Sequence, residues 1–427
     1  MSAEVLKEIG GLEIVKEREP YRFEHMELAN GGELYFQKAQ IPFVLLGIVS
    51  KFGAREDPPG KEGLVHMLEH LLSRKTEDFP SFQAMEKYKE KHSLGINYGE
   101  INLNSLIFSG KSLKEDFPHL LHVFSQFISF SRYGSEDLVH EKDIVIEELQ
   151  RKMLPQIRGA QNEIRKKIFG EHPFSRIDIL GEEKIIAALR LEDIRKFEKQ
   201  YLGPLNAAFI LIGDFKPDEA KNLLTEAFPP RKCRLVSKYQ PIPPPFPKGL
   251  RSEYSMSKLE IKGETRTTLR WDFSFSSRDF FKLGDIALSI LTTKLSEELR
   301  EKRGWTYGAN EGWQRLRDLG TGWLGVSVPP RHEKETEKIF WQVRKETAND
   351  VQMFKTYQRS ILKSFLITDV NYYDILDHGL RTIPLEGRIP LLTETYQETA
   401  ALTPQAFQNF LENYIVPSRV HLTIVRP

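Results

Sequence analysis

The stretch His66-Met67-Leu68-Glu69-His70 places two imidazoles four residues apart with a carboxylate between them. Leucine, valine and methionine surround this polar trio, so the segment from Gly63 to Lys75 is predicted to form a helix. At this spacing the three polar side chains share one helix face. A zinc ion would account for such a face, because neutral imidazoles are favoured zinc ligands and a neighbouring glutamate can take a proton from the attacking water.

The order His-x-x-Glu-His reverses the common zinc-protease order His-Glu-x-x-His and is the inverzincin arrangement. A third ligand must then come from elsewhere in the chain. The segment His140 to Met153 reads HEKDIVIEELQRKM and is predicted to be a second helix, with carboxylates at Glu141, Glu147 and Glu148. Together the two segments resemble the pitrilysin family of zinc peptidases, in particular its short-chain, processing-peptidase-like members.

In that family a glutamate lies seven residues before the ligand glutamate, and Glu141 and Glu148 match this spacing. The resemblance therefore implies that His66, His70 and Glu148 hold Zn²⁺, and that Glu141 orients a ligand imidazole through its other ring nitrogen. Glu147 is the alternative third ligand, since the usual gap from the second histidine ends there. Helix geometry prevents two adjacent glutamates from pointing at one ion.

Further segments extend the resemblance along the chain. Gly53-Ala54-Arg55-Glu56 resembles the loop that leads into the family's metal helix, and Gly95 to Asn97 resembles the start of the following strand. In the family that strand binds substrate as an added β-strand, which implies a peptide or an unfolded polypeptide as substrate. The chain has Asn97-Tyr98-Gly99-Glu100 where the family has Asn-Ala-x-Thr, so its cleavage preference stays open.

Composition is ordinary for a globular protein of two or more domains, with 427 residues, 28% charged and 40% hydrophobic. A net charge of +1 gives no reason to expect nucleic acid or an anionic membrane surface as a partner. No apolar run reaches the 18 residues that a membrane helix needs. Five glutamates in the first 20 residues argue against a targeting peptide, so a cytoplasmic location is expected.

Strand-like and helical patterns alternate in the first half, which predicts an α+β fold. The strand-like segments are Tyr21 to Leu28, Gly32 to Phe36, Phe43 to Phe52 and Asn102 to Ser109. A proline-rich stretch, residues 229–248, is predicted to be a linker between a metal-binding domain, 1–228, and a second domain, 249–427. With the resemblance, each domain is expected to hold a mainly antiparallel sheet covered by helices.

The order of elements recurs after the linker, which predicts two related domains. A strand-like Thr265 to Phe275 is followed by a helix-like Phe281 to Arg303 and a strand-like Trp323 to Val328. The helix of this second half reads LTTKLSEELREK at residues 291–302 and has no histidine pair, so one metal site per chain is expected.

Arg300 and Tyr307 resemble an arginine and tyrosine pair that lies, in this family, across a chamber from the zinc and contacts substrate. An arginine can hold peptide carbonyls, and a tyrosine hydroxyl can donate to the oxyanion that forms on the attacked carbonyl. The alternative is structural: a helix end capped by Gly304, with Arg300 in solvent and Tyr307 packed in the next strand.

The resemblance implies a zinc-dependent endopeptidase with Glu69 as general base. Since family chambers are built from two halves and one chain supplies one half, a dimer is also implied. It would be a homodimer with two sites, or a heterodimer in which an inactive homologue supplies the pair and the active subunit trims a leader peptide. A non-catalytic scaffold subunit is a further alternative, against which the retained ligands and base count.

Overall fold

The structure is a computed structural model of the 427-residue chain. It describes residues 11–152, 155–170, 172–176, 178–236, 249–257, 259, 263, 265–275, 280–317, 319–367 and 369–427. Among these residues, no helix combines the length and apolar character that crossing a membrane requires. The cytoplasmic location stays a prediction.

The first half contains a six-stranded sheet and the helices that cover it. Its strands are β1 (Glu24–Glu27), β2 (Glu33–Lys38), β3 (Phe43–Ser50), β4 (Gly95–Ile101), β5 (Leu106–Leu113) and β6 (Ala207–Gly213). Its helices are α1 (Gly11–Glu17), α2 (Leu64–Leu72), α3 (Phe82–Lys91), α4 (Phe117–Ser129), α5 (Ser135–Lys152), α6 (Pro155–Phe169), α7 (Glu183–Ala188), α8 (Leu191–Tyr201) and α9 (Pro217–Ala227). Strand order is β1-β2-β6-β3-β5-β4, antiparallel except between β2 and β6.

The second half repeats this plan with five strands. They are β7 (Arg251–Ser255), β8 (Thr267–Phe275), β9 (Ala309–Arg315), β10 (Gly320–Val328) and β11 (His421–Arg426). Its helices are α10 (Phe280–Ser296), α11 (Glu333–Ala348), α12 (Val351–Ile367), α13 (Tyr372–Glu386), α14 (Leu392–Ala400) and α15 (Pro404–Tyr414). Strand order is β7-β11-β8-β10-β9, and only β7 and β11 pair in parallel.

Each half has its own apolar core between one sheet face and the helices. In the first half Leu68 of α2 and Phe124 of α4 are fully buried against strand residues such as Phe209. The second core contains Trp271 of β8, stacked on Phe340 of α11 at a ring-centroid distance of 4.2 Å. The predicted α+β fold with two related, mainly antiparallel sheets is therefore confirmed.

The other face of the first sheet is covered by a helix from the second half. Leu376 and Leu380 of α13 pack on Leu45 of β3 and Ile210 of β6. Gly47 permits this contact, because a Cβ there would lie 2.8 Å from the side chains of both leucines. The two halves are thus joined by an apolar interface that contains the middle of the first sheet.

Contacts at the start of the described chain also cross between the halves. Val15 of α1 is buried against Leu362 of α12 and Tyr396 of α14. The carboxylate of Glu19 accepts hydrogen bonds of 2.9 Å from the backbone N–H groups of Leu392 and Thr393, at the beginning of α14. Backbone N–H groups in the first turn of α14, which have no partner within the helix, therefore donate to a residue from the first half of the chain.

Local predictions differ from the structure at several boundaries. The helix predicted from Gly63 to Lys75 ends at Leu72. The strand predicted from Asn102 begins at Leu106, because residues 102–105 form the turn between β4 and β5. Much of the proline-rich linker, residues 237–248, lies outside the described residues. The domain boundaries at 228 and 249 remain a prediction.

Candidate metal centre

Helix α2 is held at its first turn by a buried carboxylate from the preceding loop. Asp57 accepts hydrogen bonds from the backbone N–H of Gly63 at 2.8 Å and of Val65 at 2.9 Å. Gly63 has φ of +92°, a conformation that glycine adopts without strain, and a Cβ there would lie 2.9 Å from the carbonyl oxygen of Leu180. This loop fixes where α2 begins and therefore where its histidines lie.

Two imidazoles and one carboxylate meet between α2 and α5. Nε2 of His66 and Nε2 of His70 lie 3.2 Å apart, and Oε2 of Glu148 lies 3.4 Å from the first nitrogen and 3.7 Å from the second. Tetrahedral ligands at ordinary zinc distances are about 3.3 Å from one another. The three atoms thus have the spacing of zinc ligands, and the donor set of two imidazoles and a carboxylate fits zinc. We call His66, Glu69, His70 and Glu148 the metal cluster.

A second glutamate on α5 orients one of the imidazoles. Oε2 of Glu141 lies 2.9 Å from Nδ1 of His70, and its Oε1 lies 3.0 Å from Nε of Arg74. Glu141 is almost completely buried, with His70 and Arg74 in contact with its carboxylate. A hydrogen bond at Nδ1 leaves Nε2 of His70 to face His66 and Glu148.

The protonation states of the cluster suit cation binding. Burial lowers the pKa of His66, which favours the neutral imidazole that metals bind. Hydrogen bonds to His66 and Lys152 lower the pKa of Glu148 to about 2. Although burial opposes its charged form, the hydrogen bond to Glu141 and the charge of Glu69 raise the pKa of His70. The glutamates around His70 favour a positive charge on its ring, and a cation bound at Nε2 of His70 would take the place of the proton.

Within the metal cluster, Glu69 lies beside the three ligand side chains, with its carboxylate against β4. Burial, and next the charges of Glu148 and Glu141, raise the pKa of Glu69 to about 7, partly offset by His70. A Cβ on Gly99 would lie 2.2 Å from Oε1 of Glu69, so only glycine permits β4 to pass this closely. A carboxylate with a pKa near neutrality can accept a proton in one step and return it in the next.

A cavity of about 660 Å³ opens over the metal cluster, and all its lining residues belong to the first half. Besides the cluster they are Gly99, Glu100, Ile101, Ile144, Glu147, Arg151, Lys152, Ile179 and Leu180. Glu147 is exposed at this cavity, whereas the carboxylate in contact with the imidazoles is that of Glu148. Oε1 of Glu148 pairs with Lys152 at 2.5 Å.

The predicted arginine and tyrosine pair lies in the second half, outside this cavity. Arg300 is in the π-helical turn Glu297–Glu301 that follows α10, and its Nε lies 3.2 Å from a carboxylate oxygen of Glu301. Tyr307 is 91% exposed in the segment before β9. The structure brings His66, Glu69, His70, Glu141 and Glu148 together, and does not bring Arg300 or Tyr307 to them within one chain.

Sequence reasoning missed the residues that support the cluster. Asp57 lies six residues before Gly63, too far for an ordinary helix cap to be recognised. Arg74 follows the histidine pair by one turn of helix, a spacing that could have suggested a shared partner. Gly99 had no signal in the sequence, because its role depends on how β4 passes Glu69.

Comparisons with known proteins show which proteins the chain is similar to. The family model described as Insulinase (Peptidase family M16) matches residues 34–173, and that described as Peptidase M16 inactive domain matches residues 188–357. An uncharacterised zinc protease of Mycobacterium bovis is 21% identical over 317 residues, which cover 71% of this chain and 70% of that protein.

Two solved structures have the same fold. A peptidase M16 inactive domain from Pseudomonas fluorescens superposes with a TM-score of 0.79 at 18% identity, covering 95% of this chain and 98% of that one. Pitrilysin superposes with a TM-score of 0.75 at 16% identity, covering 95% of this chain but 45% of pitrilysin. The two family models follow each other along the two halves of the chain, and the protein belongs to the M16 peptidase family, that of pitrilysin.

Proposed function

We propose that this protein is a zinc-dependent endopeptidase that hydrolyses peptides or unfolded polypeptide segments. One observation carries the proposal: the nitrogens of His66 and His70 and the carboxylate of Glu148 form a triangle with edges of 3.2, 3.4 and 3.7 Å. That spacing and donor set suit a zinc ion, and Glu148 is the third ligand in this proposal. When bound, zinc would polarise the peptide carbonyl and acidify a water molecule.

The residues of the chain supply the remaining chemistry. Glu69 accepts the proton of the attacking water and returns it to the leaving amine, for which a pKa of about 7 is suitable. Glu141 keeps His70 in the orientation and tautomer that binding requires, while Arg74 compensates its charge. Next to Glu69, β4 is the edge strand of its sheet and can accept an extended peptide by backbone pairing.

A dimer is the second part of the proposal. A tyrosine that is 91% exposed leaves most of its apolar ring in water, which a partner surface would cover. All residues of the metal cavity come from the first half, so Arg300 and Tyr307 would reach substrate only from another chain. The chain also spans 45% of pitrilysin, so a second chain of this size would supply a comparable remainder.

Metal removal and substrate choice test this proposal. Chelation should abolish hydrolysis of an unfolded peptide, and Zn²⁺ should restore it, while a small ester that cannot pair with β4 should be a poor substrate. Native mass spectrometry of the zinc-loaded protein would report the dimer. Zinc-loaded dimer that leaves unfolded peptides intact would contradict the peptidase and favour the scaffold alternative, whereas efficient cleavage of the ester alone would indicate a small-molecule hydrolase.

A further inference from the structure

A second group of metal-ligating side chains lies between α3 and α4, and none of its members lines the cavity of the metal cluster. We propose that His92, Asp116 and His119 form a second divalent-cation site. His92 follows α3 directly, Asp116 precedes α4 directly, and His119 lies in the first turn of α4. The proposal is independent of peptidase activity.

The three side chains are already close together. One ligand atom from each lies within 4.8 Å of those of the other two, and Nδ1 of His92 is 3.9 Å from Oδ1 of Asp116. All three residues are partly buried, and the side chains of His92 and Asp116 are 15% and 24% exposed. A cation could therefore enter and complete its coordination with water molecules.

His119 is held at one ring nitrogen, as metal-binding histidines generally are. The hydroxyl of Tyr88 lies 2.7 Å from Nδ1 of His119, which leaves Nε2 as the free donor atom. Tyr88 lies in the last turn of α3 and His92 follows that helix directly, so this end of α3 positions both a ligand and the group that orients the other imidazole. This arrangement parallels Glu141 and His70 in the metal cluster.

Charge also favours a cation at this place. The rings of His92 and His119 are stacked with centroids 3.6 Å apart and an interplanar angle of 25°. Asp116 supplies a negative charge, whereas the helix dipoles oppose each other here, because the negative end of α3 and the positive end of α4 both lie at the site.

The donor set defines the class of ion. Two imidazoles and one carboxylate, with positions left for water, suit Zn²⁺, Co²⁺, Ni²⁺ or Fe²⁺ better than Ca²⁺ or Mg²⁺, which prefer oxygen ligands only. In the metal cluster the rings of His66 and His70 are 4.7 Å apart and nearly perpendicular, at 88°. The stacked pair must open toward such a geometry, so binding should be weaker at the second site.

A cation here would connect α3 to the strand beside the catalytic base. Ser93 and Leu94 alone separate His92 from β4, whose Gly99 lies against Glu69. A bound cation would fix the turn that sets the path of β4. The second site would thus stabilise one wall of the metal cavity without touching it.

Counting bound Co²⁺ in variants tests the inference. In a His66→Ala/His70→Ala chain, equilibrium dialysis with elemental analysis should find one equivalent of Co²⁺, and visible absorption should show its ligand-field bands. Asp116→Asn or His119→Gln added to this chain should remove that equivalent. Asparagine caps a helix as well as aspartate does, and glutamine keeps a partner for Tyr88, so both variants should fold.

His140→Gln, which changes an exposed histidine on α5, is the matched control and should leave the count at one. In the otherwise native chain the count should fall from two to one with His119→Gln, which covers the case in which the double alanine variant does not fold. A native chain that saturates at one equivalent, or a count unchanged by both Asp116→Asn and His119→Gln, would overturn the second site.

Discussion

The two halves of the chain share one sheet plan, and one of them carries the metal cluster. Strands β2, β6, β3, β5 and β4 correspond in order and direction to β7, β11, β8, β10 and β9. In both halves a helical segment connects the third of these strands to the edge strand. In the first half it consists of α2, with His66, Glu69 and His70, and α3, whereas in the second half it is α10 and the turn that follows. The fold thus provides a position, and a few side chains decide whether it binds metal.

The connecting helices also differ in how they end. Helix α2 is short and buried, with its histidines facing α5. Helix α10 continues into the π-helical turn Glu297–Glu301, which carries exposed Arg300. Single π-helical turns often occur at functional sites because they reorient a side chain. The helical segment between the strands therefore ends in an exposed, polar turn in the second half, whereas it begins with an enclosed helix in the first.

The two sheets also differ on the face that points away from the core, which is enclosed in the first half and more open in the second. In the first half this face is apolar and filled by α13. In the second half it carries Arg270 and Asp272, paired at 2.8 Å, with the guanidinium over the ring of Trp323. A cavity of about 610 Å³ lies between this face and α6. Thr423, whose buried hydroxyl has no hydrogen-bond partner, is one of its lining residues. Similar sheets thus tolerate a filled and an open interface.

The strongest test of the comparison removes a carboxylate from each half. Glu69→Gln should keep zinc and fold while lowering peptide hydrolysis by about 10² to 10⁴, the usual contribution of a general base. Glu297→Gln, which changes an exposed carboxylate on the corresponding segment of the second half, should leave turnover unchanged. The measurement is kcat/KM on an unfolded peptide at equal zinc content. Unchanged turnover in zinc-loaded Glu69→Gln would refute the role of base.

The second test asks whether the halves of different chains act together. Tyr307→Phe should lower turnover by about 10² to 10³, comparable to loss of one oxyanion donor, with zinc content unchanged. Tyr373→Phe, at another exposed tyrosine of the second half, is the control. Mixing Tyr307→Phe chains with Glu69→Gln chains should restore partial activity once subunits exchange. Exchange without recovery would exclude the symmetric homodimer.

Zinc affinity ranks the glutamates of α5. Glu148→Gln removes the carboxylate in contact with both imidazoles and should weaken binding most. Glu141→Gln removes the group that orients His70 and should cost about 10- to 100-fold. Glu147→Gln, at the exposed neighbour, should have little effect. Competition with a zinc chelator measures all three, and an equal loss for Glu147 and Glu148 would contradict the assignment of the third ligand.

The last prediction concerns the stability of the metal-free chain. Burial raises the pKa of Glu69 from 4.5 to about 7. Because the folded-state pKa is the higher one, the resulting stabilisation is complete below pH 4.5 and is lost as pH rises through 7. Relative to Glu69→Gln, the wild type should lose on the order of 3 kcal/mol of unfolding free energy across this range. Urea unfolding measures this loss. Glu297→Gln keeps Glu69 and should therefore lose the same free energy as the wild type over this pH range.

The sequence predicted the face shared by His66, Glu69 and His70, because it follows from helix periodicity alone. Glu141 and Glu148 were predicted through the family resemblance, whose seven-residue spacing they match. The residues alone did not decide whether Glu147 or Glu148 is the third metal ligand, because that depends on how α5 is rotated against α2. Contacts set by tertiary packing had no local pattern: Gly99 against Glu69, Arg74 with Glu141, and His92 stacked on His119.

The position of α13 on the first sheet constrains the order of folding during synthesis. Strand β6 is complete at Gly213, yet the helix that covers its outward face ends at Glu386. At about 5 to 20 residues per second, a ribosome needs roughly 10 to 35 s to make the intervening segment of about 170 residues. During that interval Leu45 and Ile210 have no apolar partner from α13. The nascent first half therefore exposes an apolar sheet surface until α13 has been synthesised, and such a surface favours aggregation during translation.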